Sequence, residues 1–169
     1  MQMVKKIIVT LLLLWFALLA FMPKEQLYFG LERELVKQGI EINEKSIDEG
    51  IFDLVLHDVS IYVKGVKIAT AKQVSFFTLF VYNKVKIDLL HTDKGLKSIL
   101  SLYLEKTVWH YSIVDPMHIY FRARGDIGVL KGFISLKKRK AYIDFEDPKK
   151  ANKIKRYLKK DQKGWYYAF

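Results

Sequence analysis

The chain of 169 residues contains no cysteine. Disulfides, cysteine-ligated zinc, thiol nucleophiles and lipid-modified cysteines are therefore excluded, and any exported domain must be held by packing alone. Histidine is scarce: His57, His91, His110 and His118, with no HxH, HxxxH or HExxH spacing. His110 and His118 fall on the polar phases of successive strands and would be neighbours across a hairpin, with Asp115 or Glu105 as the nearest third ligand. Two ordinary strand histidines are the simpler reading. There is no GxSxG nucleophile turn, and Ser75 and Ser135 lie within strands beside no evident base. Gly125-Asp126-Ile127-Gly128 reads as a turn between strands, not as a phosphate-binding strand-to-helix loop. No metal or cofactor is expected, and the residues give no support to an enzyme.

Acidic residues are also short. Eighteen Asp and Glu face 29 Lys and Arg, a formal charge of +11 and a pI near 9.6. Such a balance would ordinarily suggest nucleic acid. One stretch redirects it. Ile7 to Met22, IIVTLLLLWFALLAFM, carries no charge and follows Lys5-Lys6. Sixteen helical residues rise about 24 Å, against a bilayer core about 30 Å thick. Val4 extends the run, and the stems of Lys5, Lys6 and Lys24 are placed to snorkel. Only Thr10 interrupts it, so it lacks the polar face of a soluble core helix. Its end, Ala17-Leu18-Leu19-Ala20-Phe21-Met22-Pro23, offers no good A-x-A cleavage site. The run reads as an uncleaved signal anchor, with a cleaved signal as the alternative; Ile7, Leu11, Leu14, Trp15, Leu18 and Phe21 represent its membrane face. Lys5-Lys6 place the N-terminus inside. The expected division is an anchor over 1–23 and an exported, periplasmic β-rich domain over 24–169. Export removes nucleic acid from the partners and turns the charge toward anionic lipid or an acidic protein.

Ten tyrosines and eleven phenylalanines lean the composition toward β structure. Leu27, Leu31 and Leu35, widened by Tyr28 and Val36, predict an amphipathic helix over Lys24 to Gln38, stopped by Gly39 and packed through its leucine stripe. Beyond it, alternating residues predict strands at Ile40–Asn43, Ile51–Val63, Val66–Ala71, Val74–Tyr82, Lys84–Leu90 and around Trp109, Tyr111 and Ile113. More follow at Met117–Arg124, Val129–Leu136 and Lys140–Phe145. Residues 97–104 suit a strand or a short helix. A change of phase at His57-Asp58 reads as a β-bulge, or as two strands meeting at a bend, flanked by Asp53 and Asp58. Turn signals about every ten residues favour an antiparallel meander, wetted on one face. After Pro148, Lys149 to Lys160 reads as a basic amphipathic helix with Ala151, Ile154 and Leu158 as its stripe. Trp165 to Phe169 reads as a docked final strand. The fold class is therefore mainly β (α+β): an N-terminal transmembrane helix, then a curved antiparallel sheet with two amphipathic helices.

Between Lys131 and Lys163 there are thirteen basic and four acidic residues. Lys137, Lys138, Arg139, Lys149, Lys150, Lys153, Lys155, Arg156, Lys159 and Lys160 would form a surface for anionic headgroups or an acidic partner.

The order of features adds a resemblance. An anchor ending in Pro23 and a small helix precede the run Leu54 to Ile61 and the run Val63 to Ala69. Gly125-Asp126-Ile127-Gly128, Gly132-Phe133-Ile134-Ser135-Leu136, a basic helix and a last strand follow. This resembles the type II secretion system protein N family and, more distantly, AsmA-like periplasmic proteins. The resemblance implies inner-membrane anchoring and a periplasmic β-rich domain. It also implies a non-enzymatic scaffold or accessory role in secretion or envelope biogenesis. Membrane lipids and envelope or secretion-apparatus proteins would be the partners. The AsmA-like side implies an alternative, lipid or glycolipid carried on an apolar sheet face.

Overall fold

The computed structural model describes residues 2–93, 102–147, 152–155, 157–162 and 164–169. Helix α1 covers Gln2–Ala20 and α2 covers Lys24–Lys37. The strands are β1 Ile40–Asn43, β2 Ser46–Glu49, β3 Asp53–Val63, β4 Val66–Thr78, β5 Tyr82–Thr92, β6 Tyr103–Ser112, β7 His118–Gly125, β8 Gly128–Ser135 and β9 Lys140–Phe145. A single turn of helix, α3 Asn152–Lys155, leads to β10 Lys159–Asp161 and β11 Gly164–Ala168. All strands join one open antiparallel sheet in the order β1-β3-β4-β5-β6-β7-β8-β9-β11-β10, with β2 also on β3. The expected mainly β meander is this sheet.

Four expectations need correction. The bulge at His57-Asp58 is not a bulge on β3–β4: His57 pairs with Gln73 and Val59 with Ala71, so the register is unchanged across it. Instead the side-chain phase flips in neighbouring strands together. Core side chains step by three residues from Leu56 to Val59, Ala71 to Val74, Ile87 to Leu90 and Leu104 to Thr107. The residues between them form a crease across the sheet, where Asp58 and Leu89 take φ of 50° and 52°. The crease ends in a register shift between Leu104 and Lys106 on β6–β7. Second, the strands expected at Val66–Ala71 and Val74–Tyr82 merge into β4, because the flip at Lys72 only imitates a break, and the chain turns at 79–81, before Tyr82 opens β5.

Third, the basic helix expected over Lys149 to Lys160 is confined among the described residues to α3. Lys159 and Lys160 instead belong to β10, paired with Tyr166 and Trp165. Fourth, α2 packs through Tyr28, which is 5% exposed, while Leu27 and Leu31 remain more than half exposed. Gly39 ends α2 at φ 77°, as the sequence suggests. The possible strand or helix at 97–104 falls partly on residues outside those described; Tyr103 and Leu104 begin β6.

The core has two clusters on one face. Leu54, Leu56, Val59, Ala71 and Val74 gather under Tyr28. Leu104, Phe121, Ala123, Ile127, Leu130 and Phe145 form the second, with Ile154, Leu158 and Trp165 against it. Leu90 touches both. The other face is not simply wetted. Across it, direct cross-strand pairs align His110, Tyr120, Phe133, Tyr142 and Tyr166.

The meander gives the sheet two ends. Strand β3 starts beside α1, so the turns at 79–81, 113–117 and 136–139 lie at that end, called the anchor end for the role expected of α1. The turns at 64–65 and 126–127 lie at the far end.

Candidate functional site

The helix α1 is long and apolar enough to cross a membrane. Its nineteen residues rise about 28 Å, close to the bilayer core. Ile7, Leu11, Leu14 and Leu18 are exposed on it and Trp15 is half-buried. Phe21 departs from expectation. It lies in the turn after the helix, and it is strongly exposed. Pro23 explains this, since the residue before a proline is pushed out of helical geometry and the helix unwinds just ahead of it.

Lys24 does not snorkel. It is 5% exposed, and its Nζ donates to the carbonyls of Leu19 at 3.4 Å and Met22 at 3.2 Å. The same ammonium lies 3.9 Å from Glu49, whose carboxylate also accepts the Lys24 backbone N–H at 2.9 Å. One residue thus satisfies orphan carbonyls at the end of α1, while Glu49 on β2 satisfies an orphan N–H at the start of α2. Phe16 adds an edge contact to Phe52 at 5.9 Å, and Phe52 lies 6.4 Å from Phe77. The Tyr28 hydroxyl donates to Glu44 at 2.8 Å. Burial, then that hydrogen bond and the Glu44 charge, push its ionisation far above the ordinary tyrosine range. Helix α1 is thereby coupled to the sheet by polar groups that sequence periodicity does not reveal.

Beside this joint lies an apolar cleft of about 200 Å³, lined by Met22, Leu27, Tyr28, Leu31, Leu54 and Phe76. The leucines expected to pack onto the sheet instead form its wall.

The described basic residues lie on separate elements. Lys137, Lys138 and Arg139 are exposed in the turn between β8 and β9. Lys155 and Lys160 lie 5.6 and 5.7 Å from the ring of Trp165. Lys159 is exposed on β10. Lys149, Lys150 and Arg156, with the side chain of Lys153, lie outside the described residues. On the aromatic face, Lys140 sits 4.0 Å over Tyr166 and 3.6 Å from Asp161.

That face carries a second groove, of about 530 Å³, bordered by His110, Tyr120, Arg122, Lys131, Phe133 and Tyr142. His110 and Tyr120 stack at 5.3 Å and 13°, and Phe133 and Tyr142 at 5.0 Å and 25°. The Tyr120–Phe133 and Tyr142–Tyr166 pairs are tilted, at 47° and 43°. They act as cross-strand stabilising pairs. Strand periodicity marks these residues as outward-facing, but only the register shows that they align.

His110 and His118 are diagonal, not paired: His110 opposes Tyr120, two residues along β7 from His118. His118 Nδ1 lies 2.8 Å from Asp115, and the Tyr120 hydroxyl donates to the same carboxylate at 2.7 Å. These bonds hold the Asp115 carboxyl below the usual range. Among the described residues no three His, Asp or Glu side chains are grouped to hold a metal. Asp58 is bound by Lys72 at 2.7 Å on the crease, an exposed ion pair. No known protein family, curated protein or solved structure matches this chain.

Proposed function

We propose that this chain is a membrane-anchored, non-enzymatic component of a bacterial secretion or envelope-biogenesis system, acting as a scaffold or accessory. In this reading α1 sits in the inner membrane with its N-terminus in the cytoplasm, and the sheet stands in the periplasm. The resemblance to the type II secretion system protein N family supports the setting. The observation that carries the reading is the joint at Lys24. A flexible tether would suffice for a domain that merely needs to stay nearby. Here the anchor, α2 and β2 share one buried ammonium and one carboxylate, which orients the sheet relative to the membrane as a scaffold requires. Affinity purification of the full chain from membranes, with identification of what comes with it, tests the proposal. Recovery of envelope or secretion-apparatus proteins supports it. Recovery in the soluble fraction, or of lipid alone, counts against it.

The AsmA-like alternative, lipid or glycolipid carriage, is favoured by one observation, the apolar cleft beside the joint. At about 200 Å³ it falls below the roughly 300–1,000 Å³ of usual small-molecule sites. It would hold part of one acyl chain. Native mass spectrometry of the purified protein decides between the readings: a stoichiometric lipid that disappears in Leu31→Glu favours carriage.

A further inference from the structure

We propose that the hairpin turns at the anchor end form a second membrane contact, dipping into the headgroup and upper acyl region of the bilayer that α1 enters. This rests on the reading of α1 as an anchor and adds a surface that reading does not require.

The turns expose large apolar side chains that have nowhere else to go. Phe80 and Val81 are exposed on the β4–β5 turn, and Ile113, Val114 and Met117 on the β6–β7 turn, with Val114 at 90%. Leu136 is exposed on the β8–β9 turn. Scattered surface hydrophobics need no explanation, but a contiguous group does. These are contiguous. The Ile113 N–H donates to the Val81 carbonyl at 2.9 Å, and Leu136 N–H to Met117 at 2.9 Å. The row reaches the anchor on one side, where Thr78 N–H donates to Phe52 at 2.9 Å and Phe52 meets Phe16. On the other side Phe169 N–H donates to Arg139 at 3.2 Å. One rim therefore runs from the foot of α1 across the end of the sheet.

Its charges fit the same occupant. Within these three turns the sole carboxylate, Asp115, is engaged by His118 and Tyr120. The cations Lys137, Lys138 and Arg139 are exposed immediately after Leu136. Apolar tips beside a cluster of free-standing cations match acyl chains beneath anionic headgroups. The β7–β8 turn at the far end supplies the control. There Ile127, its apolar residue, is 2% exposed.

The absence of native cysteine makes the test clean. Single variants Val114→Cys, Phe80→Cys, Asp126→Cys and Leu11→Cys of the full chain are labelled with an environment-sensitive fluorophore. They are reconstituted in phosphatidylethanolamine–phosphatidylglycerol vesicles, with and without brominated acyl chains. The Val114 and Phe80 probes are expected to shift to shorter wavelength and lose most of their emission to bromine, while the Asp126 probe does neither. Val114 and Phe80 probes quenched no more than Asp126 overturn the rim. If Leu11 is strongly quenched in that case, the anchor stands and only the rim falls. If Leu11 is unquenched while Val114 and Phe80 are quenched, the rim stands and the anchor reading falls.

Discussion

Strand β7 is reversed at both of its ends, and the two turns place their residues in opposite ways. At the far end, Ile127 tucks into the core with Leu104, Phe121 and Leu130. Its neighbour Asp126 exchanges hydrogen bonds with the backbone of Tyr103, receiving one N–H at 3.3 Å and giving its own at 3.0 Å. Gly125 lies so close to β6 that an added Cβ would sit 2.0 Å from the Tyr103 carbonyl. At the anchor end the polar groups satisfy one another inside the turn. Val114 N–H reaches the Ser112 hydroxyl at 3.3 Å, and the Asp115 carboxylate is held by His118 and Tyr120. The apolar side chains are what is left outside. A turn with its polar inventory filled and its hydrophobes exposed is organised, not loose, and so its exposure calls for an environment other than water.

The largest expected effect tests this contrast directly. Ile127→Ala opens a cavity beneath a fully packed turn and should cost about 2–5 kcal/mol of stability. Val114→Ala removes nothing from the core and should change stability by no more than about 0.5 kcal/mol. Denaturant unfolding of both variants in detergent measures the pair; equal losses would show that the anchor-end turn is packed after all. Next in size, Gly125→Ala forces its methyl against the Tyr103 carbonyl in the β6–β7 register shift. Overpacking of this kind costs about 1–3 kcal/mol. Far-end unfolding should become easier by hydrogen exchange while the anchor-end turns keep their protection.

Between the two ends lies the crease, and it explains what the sequence did and did not reveal. Strand existence was legible because the alternation has a period of two, and the apolar helix α1 was legible because Ile7 to Met22 is uncharged. The crease was visible only at His57-Asp58, as a change of phase. It broke Val66–Thr78 into two apparent strands, because a flip at Lys72 and a turn look alike along one strand. Strand β2, Ser-Ile-Asp-Glu, has no apolar pattern of its own and exists through its pairing with β3. The helix expected to Lys160 failed because helical spacing of Ile154 and Leu158 is also met by one turn followed by a chain that leads into β10, where pairing with β11 wins. Of the candidate site, the apolar helix α1 was foreseen, except that Phe21 lies in the turn after it. The joint at Lys24, the aligned aromatic row and the rim depend on register and on which turns share an end, neither of which a single strand reports. Ile113 and Met117 show the cost: both fit the alternation of their strands, and both lie in the exposed turn.

The crease also yields a smaller prediction. Leu89 holds a left-handed φ of 52° and is partly exposed. That conformation costs a branched side chain about 1–2 kcal/mol relative to glycine, and asparagine tolerates it better. Leu89→Asn should therefore be neutral or stabilising by up to about 1 kcal/mol, whereas Ile87→Asn, on the core side of the same strand, should destabilise. A thermal melt of each decides. Loss of stability in Leu89→Asn would mean that the crease is held by the leucine side chain and not tolerated in spite of it.

The smallest effect concerns the hydrogen bonds that close the anchor-end turn. The hydroxyl of Tyr120 and then the ring of His118 hold the Asp115 carboxyl below its ordinary value near 3.9. A depressed carboxyl contributes stability that is fully present above the unfolded value and is lost as pH falls through the folded one. The turn should keep its shape in mildly acidic solution and open only below the usual carboxylate range. Tyr120 carries the reciprocal signature: its hydrogen bond to Asp115, then burial and the carboxylate charge, raise its ionisation above the ordinary tyrosine value. Asp115→Asn removes the charge and weakens the acceptor, so Tyr120 should ionise at lower pH than in the unaltered chain. Carbon NMR of the Asp115 carboxyl and the Tyr120 ring carbon that bears its hydroxyl reads both titrations. An Asp115 midpoint at or above the ordinary value would mean that the trio does not hold in solution. The exposure of Val114 would then reflect an open loop and not a built rim, and the contrast between the two turns of β7 would lose its physical basis.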